Sequence, residues 1–507
     1  VDPEPGPYAD LVNDMRALGQ REAEEINAQF PKVQRRVGGY NIDALTGNDV
    51  NMAHLLVGSE GTLAYFTELE LSLAHLPGEK VTGVCHFPTF YAAMDAAQHL
   101  VTLTPQGVEL IDDTMIALGR DIPLFRKTIE AFVEGEPAAL LLVEFAEGSA
   151  EANAAKLVEL SQLMGDLGFT FQGSGNAWGG VVPVADTALQ GAIAEYRKAG
   201  LNVMMSMKEA GKPISFVEDC AVALPDLAEY TQGVTDIFAK HGTKGTWYAH
   251  ASVGCLHVRP VLNMRQDADV KKMRAMAEEI FDLVKHYKGS HSGEHGDGIV
   301  RSEFHEKMFG KRIVSAFEEV KARFDPDGLM NPGKIVHPPA MDDRQLFRYG
   351  PKYDVPDFKT ELDWSAWPGS AGGFQGAVEM CNNNGACRKL KGGVMCPSFR
   401  ATRNERDATR GRANTLRFAI SGQMPGGLTS DAMADTMKYC VSCKGCRREC
   451  PTGVDMAKMK IEVLAARRQK NGLTLADKLV GYLPRYAPKA AKIAWLMNLR
   501  NKIGPVR

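Results

Sequence analysis

The apolar positions divide the chain into stretches of different period. Residues 1 to about 30 carry Leu11, Met15, Leu18 and Ile26 near helical spacing amid charged positions, which predicts an amphipathic helix. From 54 to 77, "HLLVGSEGTLAYFTELELSLAHLP", an apolar run is cut by a Gly-Ser-Glu-Gly turn and resumes in "YFTELELSL" with period two, which predicts a strand. Between about 83 and 338 strand-like and helix-like segments alternate: "VTGVCHF", a helix over 91–103, "VELID", a helix over 112–119, "ALLLVEF" and a helix over 149–166. That alternation predicts an α+β domain with a substantial sheet. "RFDPDGLMNPGKIVHPP" (323–339), rich in Pro and Gly, closes the domain, and a polar connector follows over 340–374. Short helices between Gly and Pro turns then fill 375–472, and a basic tail with apolar residues at helical spacing occupies 473–507.

Length and charge narrow the classes. At 507 residues the chain exceeds one ordinary core, and roughly 100–200 residues per domain suggests about three domains. A net charge of -3 with a pI near 6.5 gives no electrostatic footprint for nucleic acid. No apolar run of about 18–20 residues predicts a membrane-spanning helix, and the start lacks the pattern of a secretory signal, so a cytoplasmic chain is expected. The basic tail reads either as an amphipathic docking helix, in peripheral contact with a membrane surface, or as a helix that covers a neighbouring domain.

The ten cysteines are unevenly spread: Cys85, Cys220 and Cys255 lie far apart, while the other seven crowd between Cys381 and Cys450. Clustering in a long chain without a signal sequence favours ligation over a disulfide framework. "CVSCKGCRRECP" (440–451) is the C-x2-C-x2-C-x3-C-P run of bacterial ferredoxins, in which three thiolates hold one cluster and the fourth reaches the other. Tetrahedral zinc is the bland alternative for soft thiolates. Laid over "CNNNGACRKLKGGVMCP" (381–397), the same run puts Asn384 where a second thiolate is expected. By symmetry Cys396 completes the cluster of Cys440, Cys443 and Cys446, leaving Cys381, Cys387 and Cys450 for a second one. Three thiolates suit a [3Fe–4S] cluster, or a [4Fe–4S] cluster whose fourth iron takes Asn384, water or another group; a degenerate half that binds nothing is the alternative.

In the middle domain "HASVGCLH" sets His250 and His257 apart by six residues, and "SGEHGDGIVRSEF" supplies Glu294, His295, Asp297 and Arg301. Two imidazoles and a carboxylate make an N/O site for Zn2+ or Mn2+ with a position left open for substrate. An α-hydroxy acid held there would be deprotonated by His295 as hydride leaves. Arg197, Arg259 and Arg301 are candidate carboxylate clamps, for which the planar guanidinium fork is suited.

"VGSEGTLAYFTELEL", "HASVGCLH", "GEHGDGIVR" and "FDPDGLMNPGKI" resemble, in order, the second half of the FAD-linked oxidases of the vanillyl-alcohol-oxidase type, over residues of about 35 to 338. The cysteine-rich module resembles that of the large bacterial D-2-hydroxyglutarate dehydrogenases. The resemblance implies the C-terminal half of a PCMH-type FAD-binding domain over 1–82, a substrate (cap) domain with a large antiparallel sheet over 83–339, and a small α-helical ferredoxin-like domain over 375–472. It implies that Gly58, Ser59, Glu60, Gly61 and Thr62 lie against FAD with Asn331 near the isoalloxazine. It further implies a metal at His250, His257 and Glu294, a base at His295, and substrate binding at Arg197. Arg259 stands where the family often has an asparagine, so substrate contacts are expected to differ there. The family's flavin-pyrophosphate loop has no counterpart upstream of residue 58, so the chain reads as an internal portion of a roughly twice-longer polypeptide.

The expected activity is oxidation of a small D-2-hydroxy acid, D-2-hydroxyglutarate first and D-lactate or glycolate as alternatives. FAD would take the hydride, and one or two 4Fe-4S clusters would pass single electrons to a quinone or an electron-transfer protein. The reading leaves room for a homo-oligomer. A non-catalytic electron-transfer subunit and a zinc-dependent hydrolase are the alternatives of other classes.

Overall fold

In the computed structural model the described residues are 5–47, 50–122, 125–172, 177–357, 359–369 and 371–499. They form two compact units, one reaching to residue 353 and the other from 354 onward, with the stretch 208–210 belonging to the second. The division falls inside the expected connector. The expected boundary at 82/83, by contrast, lies within a strand of the first unit.

The first unit is built on strands β1 (Val81–Phe87), β2 (Gly107–Asp112), β3 (Ala139–Phe145), β6 (Gly180–Val184), β7 (Lys212–Pro213), β8 (Gly245–His250) and β9 (Cys255–Leu262), with β4 (Phe169–Thr170) and β5 (Ala177–Trp178) as a separate parallel pair. The large sheet runs β6-β1-β3-β2-β8-β9-β7, and its pairings are antiparallel. β1 and β3 are buried on both faces and lie inside the sheet, with Val84 opposite Leu142. A strand covered on both sides loses the alternation of a half-solvated one. Helices Phe90–Leu100, Leu227–Lys240 and Asp267–His286 bury their apolar stripes in one common core with the sheet.

The amphipathic helix expected at the start spans Pro7–Gln29 and buries Met15, Leu18 and Ile26. It lies along the helix His305–Phe324, to which Arg21–Glu319 and Arg312–Glu22 pairs at 2.6 Å join it. The strand expected in "YFTELELSL" does not form. Residues 64–80 carry no strand, and Leu73 and Leu76 are 91 and 94 % exposed. Alternation sets which side chains share a face, but the ladder needs a neighbouring strand, and among the described residues none pairs with this one.

The second unit is helical. Helices Gly373–Glu379, Thr409–Ile420, Asp431–Lys438 and Met456–Asn471 surround a core of Trp364, Phe374, Val378, Leu416, Met433 and Val463. Buried Glu462 accepts from Trp364 Nε1 and from the backbone N–H of Glu361 and Leu362, so its charge is met by three donors. Beyond it the tail forms helices Leu475–Gly481, Leu483–Ala491 and Ala494–Leu499, which leave Leu475, Val480 and Trp495 exposed. Residues 500–507 of that tail lie outside the described residues. Among the described residues no helix is long and apolar enough to cross a membrane.

Candidate active site and iron–sulfur centre

The histidines owe their meeting to strand register. β8 and β9 form a hairpin in which His250 stands opposite Cys255 and Tyr248 opposite His257, and alternation puts all of them with Arg259 on one face. On the other side of β8, Glu109 of β2 is paired with His250. Cross-strand neighbours are close enough to bond, and Glu109 Oε2 lies 2.8 Å from His250 Nδ1. This leaves His250 Nε2 facing inward, 3.1 Å from Glu294 Oε1; His257 Nε2 is 3.3 Å from the same oxygen. The three residues expected as a metal set therefore converge with two nitrogens around one carboxylate oxygen.

The loop that carries Glu294 is shaped by a residue that sequence reasoning passed over. Asp219, fully buried, accepts backbone N–H bonds of 2.9 Å from Gly293, Glu294 and His295. It does so from a left-handed backbone conformation, φ 85°. Its Oδ1 lies 3.8 Å from His295 Nδ1, and the His295 ring stacks on His257 at 4.6 Å. Asp219, Cys255, His257 and Glu294 each place a ligand-type atom within 4.8 Å of the others. The hydrogen bond to Glu109 raises the pKa of His250. Burial, helped by the charges of His295 and His250, pushes that of His257 down to about 2, so His257 is a neutral imidazole with a lone pair to offer.

The three arginines have different fates. Arg197 pairs with Glu109 at 2.5 Å and keeps a quarter of its side chain exposed, at the edge of the histidine cluster. Arg259 is buried, donating to Ser215 Oγ at 2.8 Å and Tyr248 Oη at 2.6 Å. Arg301 is buried too, and its guanidinium donates to the carbonyls of Gly296 and Glu218. It braces the loop from behind, so its expected place as an open carboxylate clamp is corrected: its donors are spent on backbone.

The turn at 58–62 closes on the other end of the same loop. Glu60 accepts from the N–H of Asp297 at 2.5 Å and of Gly298 at 3.0 Å, and Asn331 Nδ2 donates to the Glu60 carbonyl at 2.7 Å. Burial is the largest influence on the Glu60 carboxyl and raises its pKa. Thr62 is held by Tyr40 Oη at 2.7 Å, and its carbonyl by Lys321 Nζ at 2.7 Å. Gly58 and Gly61 have positive φ, and a Cβ on either would meet open space. A turn held rigid from behind and bare in front is what close approach of a large planar cofactor needs, so these residues fit FAD.

In the second unit Cys396, Cys440, Cys443 and Cys446 line one common pocket. The four thiols expected by symmetry to share a cluster are thus gathered around a common space, and they fit one. Arg412, fully buried, donates to Cys396 Sγ at 3.6 Å, to Ser398 Oγ at 3.0 Å and to the Thr436 carbonyl at 3.0 Å. Burial works against the Cys396 thiolate, but the Ser398 hydrogen bond and the Arg412 charge outweigh it and the pKa falls. Cys387 accepts from the Arg410 N–H at 3.3 Å. Burial, with Cys381 and Cys450 close by, pushes its pKa up to about 11. Asn384 is exposed, its Oδ1 accepting from the Ala386 N–H at 2.9 Å and its amide donating to Asn382 at 2.6 Å. Both ends of that side chain are occupied within its own turn.

Residues 76–335 match the family described as "FAD linked oxidases, C-terminal domain", and residues 377–454 match the "4Fe-4S dicluster domain". A D-2-hydroxyglutarate dehydrogenase of Pantoea ananatis is 28 % identical over 541 residues, covering 97 % of this chain and 51 % of that protein. One of Escherichia coli is 26 % identical over 96 % of this chain and 51 % of its own length. A D-lactate dehydrogenase of Archaeoglobus fulgidus is 25 % identical over 59 % of this chain and 60 % of its own. The chain spans about half the length of the D-2-hydroxyglutarate dehydrogenases it matches. With a family match that covers the sheet, the histidine hairpin and the Glu294 loop, and an iron–sulfur match over the clustered cysteines, the chain belongs to the FAD linked oxidases.

Proposed function

We propose that this chain is the substrate-oxidising and electron-relaying portion of a D-2-hydroxy-acid dehydrogenase, with D-2-hydroxyglutarate as first substrate and D-lactate as second. One observation carries the reading: a single loop bears Glu294 against His250 and His257, His295 beside them, and Gly296–Gly298 against the Glu60 turn. Metal-type ligands, a base and the flavin-side turn are thereby joined through a few residues of backbone. The relatives' names support the substrate class.

His250 and His257 would hold a divalent ion through Nε2, with Glu294 through Oε1. The chemistry these groups would supply when bound is polarisation of the substrate hydroxyl by the ion, hydride uptake by FAD and single-electron transfer by the clusters. The chain's own residues do the rest. Glu109 fixes His250 from behind, the carboxylate–histidine arrangement that orients metal-binding imidazoles. Arg197 presents a partly exposed guanidinium, tethered by Glu109, to the substrate carboxylate. His295, stacked on His257, accepts the hydroxyl proton at a ring nitrogen, and Asp219 holds its backbone in place. The external acceptor is a quinone or an electron-transfer protein.

Anaerobic addition of D-2-hydroxyglutarate, D-lactate and glycolate to the FAD-loaded holoenzyme tests the proposal. D-2-hydroxyglutarate should bleach the flavin fastest; bleaching by glycolate alone would refute the substrate assignment. His250→Ala with His257→Ala should abolish bleaching while dithionite-reduced clusters still pass electrons to a dye. Undiminished bleaching in that double variant would favour a site elsewhere and sink the assignment of the histidines.

A further inference from the structure

Behind the Glu294 loop lies a second group of ligand-type side chains that the proposed chemistry does not use. His291, Asp297 and His305 are 0, 1 and 2 % exposed, and each offers an atom within 4.8 Å of the others. Phe281, Phe309 and Phe317 pack around the two imidazoles. Within this apolar cage both ring nitrogens of His291, Nε2 of His305 and Oδ1 of Asp297 make no hydrogen bond. Buried polar atoms are rarely left so, and four in one place ask for a missing partner.

His305 indicates what kind of partner. Its Nδ1 lies 2.9 Å from the Ile335 carbonyl, so that nitrogen carries the proton and donates. Its Nε2 then faces Asp297 Oδ2 at 3.0 Å, lone pair against lone pair, unless a second ring proton or a metal ion stands between them. His291 Nε2 is 3.6 Å from Asp297 Oδ1. Ligands on a tetrahedral ion with bonds of about 2.0–2.1 Å are about 3.3 Å apart, close to the 3.6 Å between His291 Nε2 and Asp297 Oδ1. A proton on His305 would serve one of the four unpartnered atoms, whereas an ion serves three.

We propose that His291, Asp297 and His305 bind a divalent ion of the zinc type at a closed, structural site separate from His250, His257 and Glu294. A backbone carbonyl that accepts from the outer ring N–H of an imidazole is the arrangement that orients metal-binding histidines, and His305 has it. The site's position gives it a task. Asp297 Oδ2 also accepts from the Gly39 N–H at 2.8 Å, and the Val37 N–H donates to the Ser292 carbonyl at 2.9 Å. An ion there joins the segment 37–39, the loop that grips Glu60 and the first turn of the helix His305–Phe324. It would hold the flavin-side turn from beneath without touching substrate.

Zinc-edge anomalous diffraction from crystals of the full chain grown with Zn2+ tests this on the unaltered protein. The expected result is a peak between the three side chains; its absence overturns the proposal, as does zinc found only at thiolates or at His250 and His257. Elemental analysis gives an independent reading. His250→Ala/His257→Ala should retain one tightly held zinc per chain, and adding His291→Gln and His305→Gln should remove it. An unchanged zinc content in the combined variant overturns the proposal even if activity is lost in both.

Discussion

His250 sits between two carboxylates, and the division of labour between them is set by which ring nitrogen each meets. Glu109 takes Nδ1 at 2.8 Å and Glu294 faces Nε2 at 3.1 Å, so the first orients and the second shares the inward pole. Glu109 also receives Arg197, and one side chain thereby positions both His250 and the Arg197 guanidinium. Glu109→Gln keeps the size and one acceptor but removes the charge. It should weaken divalent-ion affinity by about 10–100-fold, the usual effect of losing such an outer partner. Competition with a chelator measures this, and an affinity within twofold of the parent would show that Glu109 is only a surface partner of Arg197. Arg412 makes a parallel case beside Cys396: a buried charge that stabilises a thiolate and that no spacing rule singles out.

At the scale of elements, β1 shows how a polar residue is accommodated in a strand buried along its whole length. His86 Nε2 accepts from the Glu134 N–H at 3.0 Å and Nδ1 lies 2.9 Å from the Val84 carbonyl, so the ring is held neutral with its proton on Nδ1. Burial lowers its pKa from 6.5 to about 4. The unfolded chain takes up a proton below about 6.5 and the folded one only near 4, so this residue's contribution is complete above pH 6.5 and is lost as pH falls through that window. His86→Gln, which retains an acceptor and a donor, should flatten the fall in stability between about pH 6.5 and 4, by up to about 3 kcal/mol over the window. Denaturant melts at several pH values report it; parallel profiles for parent and variant would place the acid-sensitive group elsewhere. The same scale explains the one element that did not form. Residues 65–73 alternate as a strand should, yet β pairing is a property of two segments, and only one is among the described residues.

At the scale of the whole molecule, an FAD linked oxidase match over 76–335 is followed in the chain by a 4Fe-4S dicluster match over 377–454, and on the proposed reading the cysteine geometry predicts how far flavin reduction and electron relay can be separated. Cys396 lies in the pocket of Cys440, Cys443 and Cys446 although 43 residues of chain lie between it and the first of them. Cys396→Ser should therefore cost roughly four irons per chain and leave the group of Cys381, Cys387 and Cys450 loaded. Substrate should still bleach the flavin while turnover with an external acceptor slows. Iron and acid-labile sulfide counts with electron paramagnetic resonance check this, and loss of all iron would mean that the two groups assemble only together. The sequence alone was sufficient for whatever depends on near neighbours: the helix and strand periods from 81 to 166 and the ferredoxin run. Its spacing even paired Cys396 with the later thiols, because a ferredoxin run repeats with internal symmetry. Only the tertiary structure brought Glu109 to His250 across 141 residues and the Glu60 carboxylate to the Asp297 N–H across 237, spent Arg301 on its own loop, and drew His291, Asp297 and His305 into one dry cage. Periodicity and ligand spacing are fixed within a few residues of backbone, whereas register, burial and the partner of a charge are decided by which distant segments share a core.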